Sequence, residues 1–232
     1  MVSILTLTYQ RHHLLEEAIY SYLLQLNGHE EDSEMVIIND SVEVEYVFNH
    51  PNVRIINHPT RFSSVGKKLE WGFKQCEGDW IYRLDDDDLL SPWALDVNKN
   101  YRAKNPTKDI VRDESHYFFS QNEYQGLSSS INCGNCYSKE YIKSVGSIID
   151  KSIGEDNWLT FMNKADIYTG NTGKYTMIYR WGMNTYHISG MGDKPNEDIY
   201  RITDKSNKES GVIHLNPKFN EDYWTRIPGY VV

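Results

Sequence analysis

Four consecutive aspartates, Asp85-Asp86-Asp87-Asp88, follow the apolar run Trp80-Ile81-Tyr82-Arg83-Leu84. Like charges crowded at the end of a strand repel one another unless a cation neutralises them. Hard divalent cations take oxygen ligands, and magnesium or manganese is commonly held by one or two carboxylates together with substrate phosphates. A metal bridge to a diphosphate is the chemistry this turn could perform; a solvated acidic turn is the plain alternative. Two further polar groups sit at the ends of apolar runs, Thr8-Tyr9 and Asp40-Ser41.

The elements that would position these groups follow from hydrophobic period. Val2 to Thr8 is a near-continuous β-branched and leucine run, as expected for a strand covered on both faces. Leu15, Ala18, Ile19, Tyr22, Leu23 and Leu26 recur at helical spacing, and Asn27-Gly28 ends that helix. Strands are predicted over Glu34 to Ile38, Val53 to Asn57 and Trp80 to Leu84, with a helix over Ser63 to Cys76. Strand, helix, strand, strand, helix, strand implies a parallel α/β sheet, whose ligands bind outside the carboxyl ends of the strands. Thr8-Tyr9, Asp40-Ser41 and Asp85 to Asp88 all fall on that one edge. Downstream, a helix is expected from Trp93 to Tyr101 after Ser91-Pro92, one strand over Ile110 to Phe119, and helices over Lys139 to Val145 and Trp158 to Lys164. Ser128 to Tyr137 reads as a polar, small-residue stretch. Short strands are expected over Thr176 to Trp181 and Thr185 to Ile188, and the polar tail from Gly192 to Gly211 reads as mobile.

Composition bounds the function. Across 232 residues, 24 Lys+Arg stand against 33 Asp+Glu, a net charge of −9, which excludes a globally basic nucleic-acid coat. No run of about 18 apolar residues exists to span a membrane, and the short apolar start lacks the basic flank of a signal peptide. Cys76, Cys133 and Cys136 are too few for a disulfide framework, which favours a reducing, cytoplasmic setting. The 17 Tyr and 6 Trp suit either packing or a cleft that grips flat rings.

The order Val2-Ser3-Ile4-Leu5-Thr6-Leu7-Thr8-Tyr9-Gln10-Arg11, then Val36-Ile37-Ile38-Asn39-Asp40-Ser41, then Gly78 through Asp88 resembles the family 2 glycosyltransferases of GT-A fold. Ile131-Asn132-Cys133-Gly134-Asn135-Cys136-Tyr137 and the later Gly154-Glu155-Asp156 resemble that family's acceptor-side segment and its "ED" motif, so the likeness covers about residues 2–165. The resemblance implies a mostly parallel central sheet flanked by helices, with a smaller acceptor-side subregion. As a single domain over 1–232, it would comprise a nucleotide-sugar-binding half (1–90), an acceptor-side half (91–190) and a mobile segment and tail (191–232).

It also implies a nucleotide-sugar donor, by family habit a UDP-sugar, a Mn²⁺ or Mg²⁺ ion and inverting sugar transfer. Asp85 and Asp87 match the acidic positions of the family's DxD motif, Asp87 for direct metal contact and Asp85 for the ribose or sugar side as well. Asp86 belongs to the same donor-binding turn. Asp40 matches the position that hydrogen-bonds the base; Thr8, Tyr9 and Arg11 belong to the loop that packs against it. Asp156 matches the general base, with Glu155 beside it; an ordinary helix N-cap is the structural alternative for Asp156. The chain departs from the family in having Asn39-Asp40 where a doubled acid is usual, and Lys67-Lys68 displaced from an expected basic position. Arg61, Lys67 and Lys68 are the candidates for the donor phosphates.

His187 lies where related enzymes place a late basic segment over the diphosphate and is a further candidate metal ligand, with Gly190-Met191-Gly192-Asp193 as a lid. Cys133 and Cys136 form a CxxC without a second pair, a poor zinc site. His214 reads as a strand residue. The acceptor is expected to be a glycan or lipid-linked saccharide hydroxyl. A hydroxymethylated base of viral DNA, flipped into the site, is the alternative acceptor, and a non-catalytic sugar-nucleotide or carbohydrate-binding protein the alternative class.

Overall fold

Strand β1 (Val2–Thr8) is buried along most of its length, as a β-branched and leucine run between two helical layers should be. In this computed structural model, which describes residues 1–26, 28–29, 31–120, 123–128, 133–180, 209–220 and 223, the chain continues through α1 (His12–Leu23), β2 (Ser33–Asn39), β3 (Val44–Val47), β4 (Val53–Asn57), α2 (Val65–Gln75) and β5 (Trp80–Arg83). There follow β6 (Leu89–Leu90), α3 (Ala94–Lys104), β7 (Ile110–Asp113), β8 (Ser115–Ser120), β9 (Glu123–Ser128), β10 (Cys136–Ser138) and α4 (Lys139–Val145). The last described elements are α5 (Glu155–Asn157) with a π-helical turn Trp158–Met162, β11 (Ile167–Gly170), β12 (Met177–Arg180) and β13 (Gly211–His214).

The central sheet has the order β11-β7-β10-β5-β1-β2-β4. Neighbours from β5 to β4 pair parallel, β11 pairs parallel with β7, and only β10 runs against its two neighbours. This is the mostly parallel α/β sheet expected. A smaller sheet, β6-β12-β8-β9, gathers the second half of the chain, and β13 pairs with β3.

Alternation along the strands divides the core in two. Val2 and Ile4 of β1, with Met35 and Ile37 of β2, pack with Leu15, Ile19 and Tyr22 of α1 and with Leu95 of α3. Leu5, Val36 and Ile38 point the other way, onto Leu69 and Phe73 of α2 and Tyr141 of α4. Each fully buried aliphatic side chain contributes about 1.5–3 kcal/mol, so the strands are held in one register from both faces. The turn into β5 approaches β1 closely: a Cβ on Gly78 would lie 2.7 Å from the Ser3 nitrogen, which is why this position has no side chain.

Several boundaries differ from the expectations. The helix after β1 begins at His12 rather than near Leu15 and ends at Leu23; Asn27 lies outside the described residues. The run Ile110 to Phe119 is not one strand: it breaks at Glu114, and its halves β7 and β8 enter different sheets. The stretch Ser128 to Tyr137, read as polar and small-residue, takes in the last residue of β9 and the first two of β10. The helix expected over Trp158 to Lys164 is a π-helical turn that α5 leads into. Strand β12 matches the expected Thr176 to Trp181, while Thr185 to Ile188 and nearly all of the Gly192 to Gly211 tail lie outside the described residues. No helix among the described residues is long and apolar enough to cross a membrane.

Candidate active site

Register brings the predicted polar ends together. Thr8 of β1 pairs with Asn39 of β2, and Leu5 pairs with Arg83 of β5, so Thr8-Tyr9, Asp40-Ser41 and the aspartate turn share the carboxyl edge of three adjacent parallel strands.

At one end of this edge, Asp40 is buried and fully engaged. The Lys68 ammonium donates to Asp40 Oδ1 at 2.5 Å and to the Thr8 carbonyl at 2.6 Å, and the Phe62 N–H donates to Asp40 Oδ2 at 3.1 Å. Helix phase explains Lys68. Ser64 caps α2 by accepting the Lys67 N–H at 3.2 Å, and from that start Lys68 falls on the face of Leu69 and Gly72, towards the sheet. Burial pushes the Lys68 ammonium below its ordinary pKa against the pull of Asp40. Each Asp40 oxygen retains a lone pair for a further donor. Beside it the Arg61 guanidinium lies 3.5 Å from the centre of the Tyr9 ring, a cation–π contact that presents a flat layered surface at this corner. Gln10 holds the loop in the left-handed region, at φ 50°, and donates from Nε2 to Ser41 and Glu43 at 3.1 and 3.2 Å. A non-glycine residue held there is stored strain of the kind found at binding loops.

Lys67 does not join this edge. Its ammonium bonds Glu70, Ser147 and the Ile148 carbonyl on the far side of α2, because consecutive helical residues point about 100° apart. Of the two lysines, only Lys68 is part of the candidate site.

The four aspartates are divided among three arginines. Arg11, at the foot of α1, donates to Asp86 through Nε at 3.1 Å and to Asp87 through Nη1 at 3.2 Å. Complete burial pushes the Asp86 carboxyl up to about 6, with Asp87 adding to the rise and Arg11 opposing it. Asp88 accepts the Arg180 N–H at 3.0 Å and the Cys133 thiol at 2.9 Å, while the Arg180 side chain bonds the Asp87 carbonyl and Glu17. Asp85 pairs with Arg83 at 3.2 Å and is the most exposed of the four, with 26% of its side chain open. Among the described residues, Asp85 lies with Asp88 and Cys133, their ligand atoms within 4.8 Å of one another, while Asp87, the other expected metal ligand, turns to Arg11.

Arg83 is the residue that sequence reasoning missed. It lies buried in β5, donates to Asp85, approaches Glu155 at 3.3 Å and makes a close ion pair with Asp156. One guanidinium therefore holds the aspartate turn and the "ED" pair together. The signal was legible: an arginine inside an apolar central strand must have carboxylate partners. Gly154, at φ 77°, turns the chain into α5, which a residue with a Cβ would do only under strain. Gly154 is also the residue at the N-cap, so Asp156, inside the first turn, is not the cap. Glu155 is buried, whereas Asp156 keeps 26% of its side chain exposed and is the one of the two that reaches solvent. His187 and the Gly190 to Asp193 segment lie outside the described residues, as do Ile131 and Asn132.

This arrangement defines a class of fold: a mixed α/β domain of GT-A type. Residues 3–97, which run from β1 into α3, match the sequence family described as glycosyl transferase family 2. Solved structures agree on the fold. A crystal structure of S. aureus TarS 1-349 in complex with UDP-GlcNAc superposes with a TM-score of 0.65 at 16% identity, covering 87% of this chain and 64% of that one. A second, in complex with UDP, gives 0.62 at 16% identity over 79% and 61%. The chain thus spans less than two thirds of the length of these TarS chains. No curated protein sequence matches it.

Proposed function

We propose that the chain transfers a sugar from a nucleoside-diphosphate donor, a UDP-sugar, to an acceptor hydroxyl with inversion. The observation that carries this reading is the charge imbalance around Arg83: one guanidinium faces Asp85, Glu155 and Asp156. Such a corner favours a cation on the aspartate side and, with three carboxylates to one guanidinium, leaves surplus negative charge on the other to take a proton.

The Tyr9–Arg61 layer and Asp40, with Lys68 behind it, would receive the base. Support for uracil comes from the TarS structures of the same fold, which hold UDP-GlcNAc and UDP. The donor set fits a hard divalent ion through its carboxylates, with Asp85 open to solvent and Asp87 beside Arg11; the Cys133 thiol is not a ligand such an ion prefers. Bound by Asp85 and Asp87, Mn²⁺ or Mg²⁺ would supply charge neutralisation on the departing diphosphate. The chain's own groups do the rest. Arg83 orients Asp156, and Asp156 accepts the proton of the acceptor hydroxyl as that oxygen attacks the anomeric carbon and the bond to UDP breaks. Inversion follows from attack opposite the leaving group. The acceptor we assign is a glycan or lipid-linked saccharide hydroxyl rather than a base of DNA, because the net charge of −9 opposes a phosphate footprint.

The test is a thermal-shift screen of nucleotide sugars with and without Mn²⁺, followed by assay of UDP release. Stabilisation by UDP-sugars that needs metal supports the reading; no stabilisation by any UDP-sugar, with or without metal, contradicts it.

A further inference from the structure

Away from the acidic turn, a second group of metal-competent side chains converges where the two ends of the described chain meet. His12 and His13 open α1, and Glu209 precedes β13, 197 residues further on. The Glu209 carboxylate accepts the His12 backbone N–H at 3.0 Å and contacts His12 Nδ1 at 2.7 Å; Tyr46 of β3 donates its hydroxyl to the same carboxylate. The two imidazoles meet edge to face, with ring centres 5.8 Å apart. One ligand atom from each of His12, His13 and Glu209 lies within 4.8 Å of the others.

We propose that His12, His13 and Glu209 form a binding site for a zinc-class divalent ion, with water completing its coordination. Two imidazoles and one carboxylate make the mixed nitrogen and oxygen set that borderline ions prefer, whereas Mg²⁺ and Mn²⁺ favour oxygen alone. Zinc bonds of about 2.0–2.2 Å require the ligand atoms to draw together by about 1 Å. His13 is exposed and free to make that movement by a change of rotamer. The site is separate in its ligands and its metal preference from the aspartate turn and does not rest on the glycosyltransferase reading.

Its consequence is mechanical. Strand β13 is joined to β3 by parallel pairing, and the ion would add a link from the same segment to the first turn of α1. Arg11, the residue before His12, holds Asp86 and Asp87. The ion would therefore tie the C-terminal strand to the loop that carries the aspartates' principal cation.

The test is Co²⁺ titration of the untagged, chelator-stripped full chain, read by visible absorption, with Zn²⁺ as competitor. We expect one equivalent to give the intense band of low-coordinate cobalt, displaced by Zn²⁺ but not by Mg²⁺. The band should be lost in His13→Ala and weakened in Glu209→Gln, and retained in Asp87→Asn. His13 is exposed, so its variant should fold, which circular dichroism checks. Absence of a saturable band in the wild-type protein, or a band unchanged in His13→Ala, or one abolished by Asp87→Asn, overturns the proposal.

Discussion

The two ends of the candidate site neutralise their carboxylates in opposite ways. At the Asp40 end a single buried lysine serves a single buried aspartate, and the remaining Asp40 oxygen has a backbone donor. At the Arg83 end one guanidinium serves three carboxylates, two of which keep 26% of their side chains in solvent. A one-to-one buried pair is a fixed structural joint. A one-to-three cluster is left with surplus negative charge, which gives it a use for a cation and for a proton. The comparison separates a corner that holds shape from the corner to which the proposed chemistry is assigned.

The largest effect should come from breaking the fixed joint. Lys68→Met leaves Asp40 buried without its cation, and removing one partner of a buried pair costs about 3–5 kcal/mol. Urea unfolding should show that loss; an unchanged midpoint would mean Asp40 is not the buried anion described. Arg83→Gln should cost less stability, about 1–3 kcal/mol, because two of its three partners reach water. Its transfer rate should nevertheless fall on the order of 100-fold, through misplacement of Asp156. If Arg83→Gln proves more destabilising than Lys68→Met while its rate is preserved, the two corners have been assigned the wrong way round.

The smallest effect should come from a cluster on neither corner. Glu70 accepts from Lys67, Lys74, Ser147 and the Ile148 N–H. Partial burial pushes its carboxyl up, but these donors prevail and hold it down at about 2, below its ordinary 4.5. A depressed folded-state pKa stabilises the protein above pH 4.5, and that contribution fades as pH falls towards 2. The stability gap between wild type and Glu70→Gln should therefore be full at pH 7 and close between about pH 4.5 and 2. A gap that does not depend on pH would show that Glu70 acts by packing alone.

How legible the molecule was in its sequence follows the same division. Continuous apolar runs such as Val2 to Thr8 and Glu34 to Ile38 declare buried parallel strands, and their polar ends mark the ligand edge before any coordinates. Strand β10 was not legible: three residues, Cys136–Ser138, form a strand only because β5 and β7 offer edges on both sides. The break at Glu114 is likewise a tertiary decision, since β7 and β8 have the same apolar character but enter different sheets. Within the site, Thr8, Tyr9, Arg11, Asp40 and Asp85 to Asp88 assemble on one edge. Arg83 and Asp85 are only two residues apart, but the pairing of the other aspartates with Arg11 and Arg180 depends on contacts 75 to 93 residues apart in sequence, which spacing does not encode. The choice of Lys68 over Lys67 was within reach, because Leu69, Gly72 and Phe73 define the buried face of α2 on which Lys68 falls.

The central claim is that the carboxylate on the reactive corner takes a proton from a sugar acceptor. Its most direct measurement pairs UDP-sugar turnover with UDP affinity in Asp156→Asn. The account predicts turnover reduced about 10²–10⁴-fold with UDP affinity and melting temperature unchanged. Turnover at the wild-type rate in Asp156→Asn would contradict it.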